Sequence, residues 1–408
     1  MREHGGPLSS GSGNPDKKEY VEEWPVATQF KPTRTISVGG KDPFLEEHGR
    51  HEDGEQSQPL SWPALSHCWG GNNNFILTAD KLGVWKQAVS LSSMPKTFQD
   101  AVVVTGQLGL KHLWIDSLCI LQDSKADWAH ESDRMANVYR CSTVHLAAHT
   151  SRHSDDGFLK PRTPVEHVPL PYSSTRLGVS GTMLVRPAIS SWRRSLLSGE
   201  HSVLSTRGWV LQESLLSPRT LHFGHEQMFS ECPNMRLAEG DFSPTTISDP
   251  DAHDVDLSAS KQFVNAMGNG TQAAVTTGQA RELWYMRWYE IVTNYSQRTL
   301  GYPSDIFPAL SGLAQTIGAL IPGNEYMAGL FRGDVCRGLL WKPADDSKAS
   351  RAHPYRAPSW SWASITAPVE FEIRPSEYSP ELIPEHDLAV IGVTLRSLHD
   401  ADLSEEEY

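Results

Sequence analysis

The stretch LWIDSLCILQDSKADWAHESDRMANVYR, residues 113–140, determines the predicted fold class of this chain. It begins with a continuous apolar run, which is typical of a strand buried on both faces of a sheet. After a polar connection, an amphipathic pattern with helical spacing follows. The residues of its inward stripe are Trp128, Glu131, Met135 and Val138. A strand followed so closely by a helix predicts an α/β unit, with one carboxylate placed among apolar neighbours.

The flanking segments repeat this alternation. Residues 62–71, WPALSHCWGG, are typical of a buried strand that ends in a turn. Residues 94–110 have helical spacing, with Pro95 at the start and Gly109 just after the end. Residues 142–151, STVHLAAHTS, alternate as a strand does. Strands and helices joined by short connections predict a mainly parallel sheet flanked by helices.

Two carboxylates are candidates for catalysis. Asp116 follows the apolar strand, and α/β sheets bind their ligands beyond the carboxyl ends of parallel strands. Asp116 would equally suit a turn, where its side chain accepts hydrogen bonds from nearby backbone N–H groups. A partly desolvated carboxylate at Glu131 is suited to acid–base chemistry or to stabilising a developing cation. Alternatively, Glu131 pairs with an arginine and closes the edge of the core.

Polar and aromatic residues also crowd a predicted short helix at about residues 209–216. Arg207 and Glu213 would form the polar wall of a cleft, or else a surface ion pair. The near-terminal PSWSWASI predicts a strand-like piece on which Trp360 and Trp362 share a packed face. The candidate cleft residues in the first segment are Arg207, Trp209, Gln212 and Glu213.

Composition excludes several classes of protein. The formal net charge of −13 argues against nucleic acid as a partner, because that interface needs clustered lysine and arginine. No apolar run reaches the roughly 18–20 residues of a membrane span, and the N-terminus has no signal-peptide core. The five cysteines are scattered without a CxxC pair, which predicts reduced thiols, a cytoplasmic location and no metal framework.

Three ordered blocks of sequence together resemble the heterokaryon incompatibility (HET) domain of filamentous fungi. They are PALSHCWGG, the segment from MPKTFQDAVVV through STVHLAA, and STRGWVLQESLLSPRTLHF. Departures from the usual family residues occur at His67, Cys141 and Ser214. The resemblance implies non-self recognition and programmed cell death signalling, with other proteins of the incompatibility pathway or a second copy of the chain as partners. It also implies a fold distantly related to the flavodoxin-like TIR domain.

The resemblance divides the chain into four parts. Residues 1–59 are predicted to be a disordered or loop-rich tail, and residues 60–235 the HET domain. Residues 236–280 are predicted to be a linker or insertion, and residues 281–408 a mixed α+β region.

Some TIR domains cleave NAD with a glutamate on a helix beside the nucleotide cleft, which implies NAD as a candidate substrate without a resident cofactor. Glu131 resembles that glutamate by its helix position, and Asp116 is the second catalytic candidate. Two other functions stay open: a non-enzymatic adaptor that associates homotypically, and an accessory protein of a fungal secondary-metabolite cluster. The predicted lining residues are Trp69, Gly70, Ser117, Trp128, Arg207, Trp209, Gln212 and Glu213.

Overall fold

The fold is taken from a computed structural model, and every structural statement concerns the residues that it describes. These are residues 30–49, 59–71, 75–162, 168–185, 196, 202–239, 245–246, 257–268, 278–319 and 324–372. The first 29 residues of the predicted tail and the acidic C-terminal end lie outside them, as does much of the predicted linker.

Fifteen strands are formed by the described residues. The nine strands of the main sheet are β1 (Arg34–Ser37), β2 (Phe44–Glu47), β3 (Pro63–Ser66), β4 (His112–Ile115), β5 (Val144–Ala147), β8 (Thr220–Phe223), β9 (Met228–Glu231), β10 (Met235–Ala238) and β11 (Thr245–Thr246). Three two-stranded sheets contain β6 (Val168–Ser174) with β7 (Val179–Val185), β12 (Tyr326–Met327) with β13 (Leu330–Phe331), and β14 (Trp341–Pro343) with β15 (Val369–Phe371).

The helices lie between and around these strands. The α-helices are α1 (Ala79–Trp85), α2 (Lys96–Gln107), α3 (Asp116–Cys119), α4 (Lys125–Arg140), α5 (Gly208–Leu216), α6 (Ser258–Gly268), α7 (Gly278–Ser296), α8 (Pro308–Gly318) and α9 (Val335–Gly338). Short 3-10 turns occur at Leu91–Ser93, Leu204–Thr206, Pro303–Ile306, Arg332–Asp334, Asp346–Lys348 and Trp362–Ser364. Among the helices described, none is long and apolar enough to cross a membrane.

The main sheet is mixed, in the order β11-β10-β9-β8-β5-β3-β4-β1-β2. Only its centre, β8-β5-β3-β4, is parallel, with Leu65 paired to Ile115 on one side and to Leu146 on the other. Both edges are antiparallel. The α/β class is therefore confirmed, but the prediction of a mainly parallel sheet is wrong. The short hairpin connections at the edges permit only antiparallel pairing.

Two differences concern where strands begin and end. The loop-rich prediction up to residue 59 does not describe residues 34–47, which form β1 and β2. Their side chains Ile36 and Leu45 are fully buried in the core. Strands of four residues are too short to produce a clear alternating pattern. The strand predicted to continue past Ile115 ends there, because Asp116 Oδ1 accepts a hydrogen bond from the Ser117 backbone N–H and starts a helical turn.

Helix α4 is confirmed, with Ser124 as its N-cap accepting a hydrogen bond from the Asp127 backbone N–H. Its inward stripe, however, begins only at Glu131. Trp128 is 39 % exposed, because the first turn and a half of the helix lies at the surface. The inclusion of Trp128 in the buried stripe is therefore wrong.

The C-terminal helices belong to the same core as the main sheet. Helices α7 and α8 contribute Trp288 and Leu310 to one continuous hydrophobic cluster with the strands. Helix α8 packs on α4 and α5 at Gly312, where a Cβ atom would overlap Ala136. Trp362 is buried as predicted, but the segment around it forms a 3-10 turn and not a strand.

Candidate functional site

The carboxyl ends of the parallel strands bring together an acidic, an aromatic and an imidazole side chain. His67 and Trp69 directly follow β3, and Asp116 directly follows β4. Because β3 and β4 are parallel neighbours, these residues meet at one edge of the sheet. We call this group, together with Arg207 and Glu213, the strand-end cluster.

Asp116 is the accessible carboxylate of the strand-end cluster. Its side chain is 28 % exposed. Trp69 Nε1 donates a hydrogen bond to Asp116 Oδ2 at 2.9 Å, and Asp116 Oδ1 lies 3.8 Å from His67 Nδ1. The indole N–H therefore fixes one carboxylate oxygen while the carboxylate keeps an open side. Such an arrangement can hold a ribose hydroxyl or stabilise positive charge on a bound molecule.

His67 is buried behind Asp116, and neither of its ring nitrogens has a hydrogen-bond partner in the described structure. Burial lowers the pKa of His67 to about 4, although the charge of Asp116 opposes this shift. The imidazole is therefore neutral near pH 7. Its edge packs on Phe98 with ring centroids 4.9 Å apart. The sequence signal that could have identified this position is its place immediately after a buried parallel strand.

Glu213 of α5 is the buried carboxylate of the strand-end cluster. It accepts a short hydrogen bond from the Ser66 hydroxyl, and His145 Nε2 lies 2.6 Å from the same hydroxyl oxygen. Burial raises the pKa of Glu213 to about 7, and the negative charge of Asp116 adds to the rise while the Ser66 bond opposes it. Glu213 is therefore poised to gain or lose a proton near neutral pH. It lies inside the protein and not in a surface ion pair with Arg207.

We expect Glu213→Gln to remove a pH dependence of stability. The folded protein holds the Glu213 proton more tightly than the unfolded chain does, so this group favours unfolding progressively as the pH rises from about 4.5 to about 7. Above about pH 7, the raised pKa of Glu213 lowers the free energy of unfolding by on the order of 3 kcal/mol. Urea unfolding of both proteins at pH 5 and pH 8 measures it.

The expected result is that the glutamine variant gains stability relative to the wild type between pH 5 and pH 8. Other titrating groups, including His67, are present in both proteins and cancel in the difference. If the variant and the wild type differed in free energy of unfolding by the same amount at pH 5 and at pH 8, the buried environment assigned to Glu213 would be contradicted.

Arg207 joins the strand-end cluster to the helices of the C-terminal part. One of its guanidinium nitrogens donates to the His67 carbonyl at 2.7 Å, and its own carbonyl accepts from Arg298 at 3.3 Å. Arg207 is the N-cap residue of α5, the helix that carries Glu213. The side chains of α5 are thereby held against the strand ends.

A cavity of about 290 Å³ lies beside the carboxyl ends of β5 and β8. Hydrophobic residues of α5 form part of its wall, and charged residues of β9, β10, α6 and the segment just after α7 form another part. Its polar lining includes His149, His222, Glu231, Arg236, Lys261 and Arg298. Three cationic side chains face one carboxylate, so the described lining has a net positive charge when the histidines are neutral.

Two of the three cationic side chains of this cavity form ion pairs with its carboxylate. Lys261 Nζ lies 2.9 Å from Glu231, and Arg236 lies 3.3 Å from the same carboxylate. Among the described residues, no carboxylate lies within ion-pairing distance of Arg298. Burial lowers the pKa of Arg298 to about 10, which leaves it charged at neutral pH. His149 links this network to the strand ends through His222, with 2.9 Å between Nε2 and Nδ1. An anionic group would be stabilised here.

The structure brings four of the predicted site residues together: Trp69, Asp116, Arg207 and Glu213. Gly70 directly follows Trp69 and has a φ of +73°, a conformation that favours glycine. Ser117 is fully buried, and its hydroxyl has no partner in the described structure. It therefore lies beneath the cluster and not on its open side.

Glu131 occupies a different environment. Its side chain is 1 % exposed, and Oε1 has no hydrogen-bond partner among the described residues. The charges nearest to it include Arg34 and His130, whose Nε2 lies 4.0 Å from Oε1. A ligand could touch this carboxylate only if its neighbours moved. Trp128 lies on the exposed first turns of the same helix.

The remaining two predicted residues face the C-terminal helices. Trp209 Nε1 donates to Asp305 at 3.0 Å. Gln212 is buried between α5 and α8, where its Oε1 lies 3.1 Å from the position that a Cβ of Gly312 would take. The sequence missed four buried polar residues of the site because nothing in their spacing distinguishes them from core. These are Ser66, His67, Tyr139 and His145.

Part of the chain is similar to a known protein family. Residues 62–213 match the family model described as heterokaryon incompatibility protein (HET). The matched segment begins before β3 and ends at Glu213, so it contains the whole strand-end cluster. No curated protein and no solved structure matches the chain significantly. Residues 62–213 are therefore identified as a HET domain.

Proposed function

We propose that this chain acts in non-self recognition between fungal cells and that its HET domain triggers programmed cell death. The match of residues 62–213 to the family supports this role. Expression of the full chain in a fungal host is expected to reduce viability, measured by colony counts and by uptake of a vital dye. Normal growth at high expression of a folded chain would argue against the role.

We further propose that the strand-end cluster cleaves NAD. The observation that supports this reaction is the open carboxylate of Asp116, held by the indole of Trp69. In the reaction, the bond between the ribose anomeric carbon and the nicotinamide nitrogen breaks, and its electron pair stays on nicotinamide. Asp116 stabilises the resulting oxocarbenium-like ribose. Water then adds to the anomeric carbon and loses a proton.

The cationic cavity supports a dinucleotide as the substrate. NAD carries two negatively charged phosphates, and Arg298 offers a buried positive charge without a carboxylate partner among the described residues. A hydrogen bond connects Arg298 to Arg207 of the strand-end cluster. The aromatic face of Trp69 suits a flat nicotinamide or adenine ring.

The direct test is incubation of the purified full chain with NAD. Release of nicotinamide and ADP-ribose is measured by liquid chromatography over a range of protein concentrations, because the reaction could require self-association. Loss of NAD that rises with protein concentration is the expected result. Intact NAD at every concentration, with a correctly folded protein, would refute the reaction while leaving the incompatibility role standing.

A second candidate function is that of a homotypic adaptor, and the hairpin β6–β7 favours it. One face of this hairpin is apolar, because Val168 pairs with Val185 and Leu170 with Met183. A two-stranded hairpin is at best marginally stable alone in water, and its apolar face suits a second copy of the chain. The exposed residues of this face are Val168 (56 %), Leu170 (43 %), Tyr172 (39 %), Val179 (48 %), Met183 (49 %) and Val185 (44 %).

We expect Leu170→Lys to weaken self-association of the chain by about tenfold or more, because it places a charge in the apolar face. Light scattering after gel filtration measures the molar mass over a concentration series. Leu177→Lys is the matched control, since Leu177 lies in the turn and is 68 % exposed. Equal dissociation in both variants, or a wild type that stays monomeric, would remove the hairpin as the association surface.

A further inference from the structure

Three potential metal ligands lie together at the edge of the main sheet, two of them close in sequence and the third more than 60 residues away. Glu46 belongs to β2, His48 directly follows β2, and His112 begins β4. One ligand atom from each of these side chains lies within 4.8 Å of the other two. Strand β1 runs between β2 and β4, so the three side chains meet across it. Only Glu46 and His48 are close in sequence, and a single Glu-x-His pair does not predict a metal site.

The distances fit a small divalent cation. His112 Nδ1 lies 3.6 Å from Glu46 Oε2. In a tetrahedral zinc site with bonds of about 2.0–2.1 Å, neighbouring ligand atoms are about 3.4 Å apart. The pair is therefore already close to that geometry, and one ring nitrogen of His48 lies within 4.8 Å of a ligand atom of each of the other two side chains. Two imidazoles and one carboxylate leave a fourth position for water.

Thr35 orients both rings from beneath. Its side chain is fully buried on β1, opposite Glu46 in the strand register. Its Oγ1 lies 2.8 Å from His48 Nε2 and 3.3 Å from His112 Nδ1. Because a hydroxyl has one hydrogen, it can donate to one ring while it accepts from the other. The rings are thus held near each other before any metal arrives, which lowers the entropic cost of binding.

An imidazole binds a metal through the lone pair of its neutral form. The positive charge of Lys31 works against a bound cation, so an affinity below that of a closed four-ligand site is expected.

We propose that Glu46, His48 and His112 form a zinc-binding site that fastens the N-terminal hairpin β1–β2 to β4. This site is separate from the strand-end cluster and independent of the proposed NAD reaction. Zinc bound here ties the first two strands to the centre of the sheet. It therefore stabilises the folded chain by a free energy that grows with the logarithm of the zinc concentration above the dissociation constant.

The test is calorimetric titration of the metal-free full chain with Zn²⁺. We expect His48→Ala and His112→Ala each to weaken this binding by at least about 100-fold. Thr35→Val is expected to change the zinc affinity by less than about tenfold, because zinc at His112 Nδ1 would displace the Thr35 hydroxyl from that nitrogen. The control is His153→Ala, because His153 Nδ1 also lies 3.6 Å from a carboxylate, that of Asp156, but is not in a three-ligand cluster of the described residues.

Cobalt identifies the ligands independently of affinity. Co²⁺ at the proposed site is expected to give the visible absorption of a tetrahedral ion, without the near-ultraviolet bands of cysteine thiolate. Circular dichroism verifies that each variant is folded. The site is refuted if the wild type binds no zinc, if the double variant His48→Ala/His112→Ala binds it as the wild type does, or if thiolate bands account for the cobalt spectrum.

Discussion

Asp116→Asn is expected to lower the rate of NAD cleavage by at least about 100-fold. Asparagine has nearly the same shape, and its side-chain oxygen can still accept the hydrogen bond from Trp69. It has no negative charge, however, and cannot stabilise the positive charge that develops on ribose. Removal of one electrostatic stabiliser from an active site typically costs 10²- to 10³-fold in kcat. The rate of nicotinamide release at saturating NAD measures this loss.

Glu131→Gln is the matched comparison, since it makes the same chemical change at the second candidate carboxylate. We expect less than a tenfold loss, because the Glu131 side chain is 1 % exposed and away from the open side of Asp116. The opposite result, an inactive Glu131→Gln with an active Asp116→Asn, would transfer the catalytic role to Glu131. Thermal unfolding of both variants shows whether either loss comes from misfolding. A cell-killing activity that survives both substitutions would favour the adaptor.

Gly312→Ala is expected to destabilise the whole protein by about 1–3 kcal/mol. Alanine favours a helix over glycine by up to about 1 kcal/mol, so helix propensity alone predicts the opposite sign. The added Cβ would overlap the Cβ of Ala136 on α4 and press on Gln212 of α5. Overpacking of this kind forces helices apart and typically costs 1–3 kcal/mol. Urea unfolding monitored by tryptophan fluorescence measures the change.

Two further variants show whether that loss arises at the α4–α8 contact. Gly318→Ala changes the last residue of the same helix, where the nearest side-chain atom, from Phe331, is at an ordinary 3.6 Å, and it should cost little. Ala136→Gly added to Gly312→Ala removes the overlapping methyl group and should recover part of the lost stability. Additive losses in the double variant would show that the two positions do not touch.

The sequence predicted the centre of the fold well, because long apolar runs and helical spacing are strong signals. Helices α2, α4 and α5 and the buried strand β4 were all predicted from residues 94–140 and 209–216. The outer strands β1, β2, β10 and β11 were not predicted, because none of them forms a continuous apolar run like that of β4. The mainly parallel sheet was an extrapolation from three of its four central strands, β3, β4 and β5.

Topology alone predicted where Asp116 lies, because residues after parallel strands meet at one edge of the sheet. The catalytic role of Asp116 stays a prediction. The pairing of Glu213 with Ser66 joins residues 147 positions apart, and no local pattern reveals such a contact. Glu131 was singled out by an unusual place in an apolar stripe, a pattern that indicates burial but not access to a ligand.

The family match stops at Glu213, in the middle of a helix, while β8 and the buried faces of α7 and α8 come later in the chain. A fragment that ends at Glu213 would lack the last parallel strand, β8. It would also lack Gly312, against which Ala136 packs. Exchange of residues 62–213 for the matching segment of a related chain would therefore create a mismatch at this contact unless the facing side chains of α8 were exchanged as well. Substitutions in the C-terminal half can consequently alter the packing of residues 62–213 without changing any residue of the matched segment.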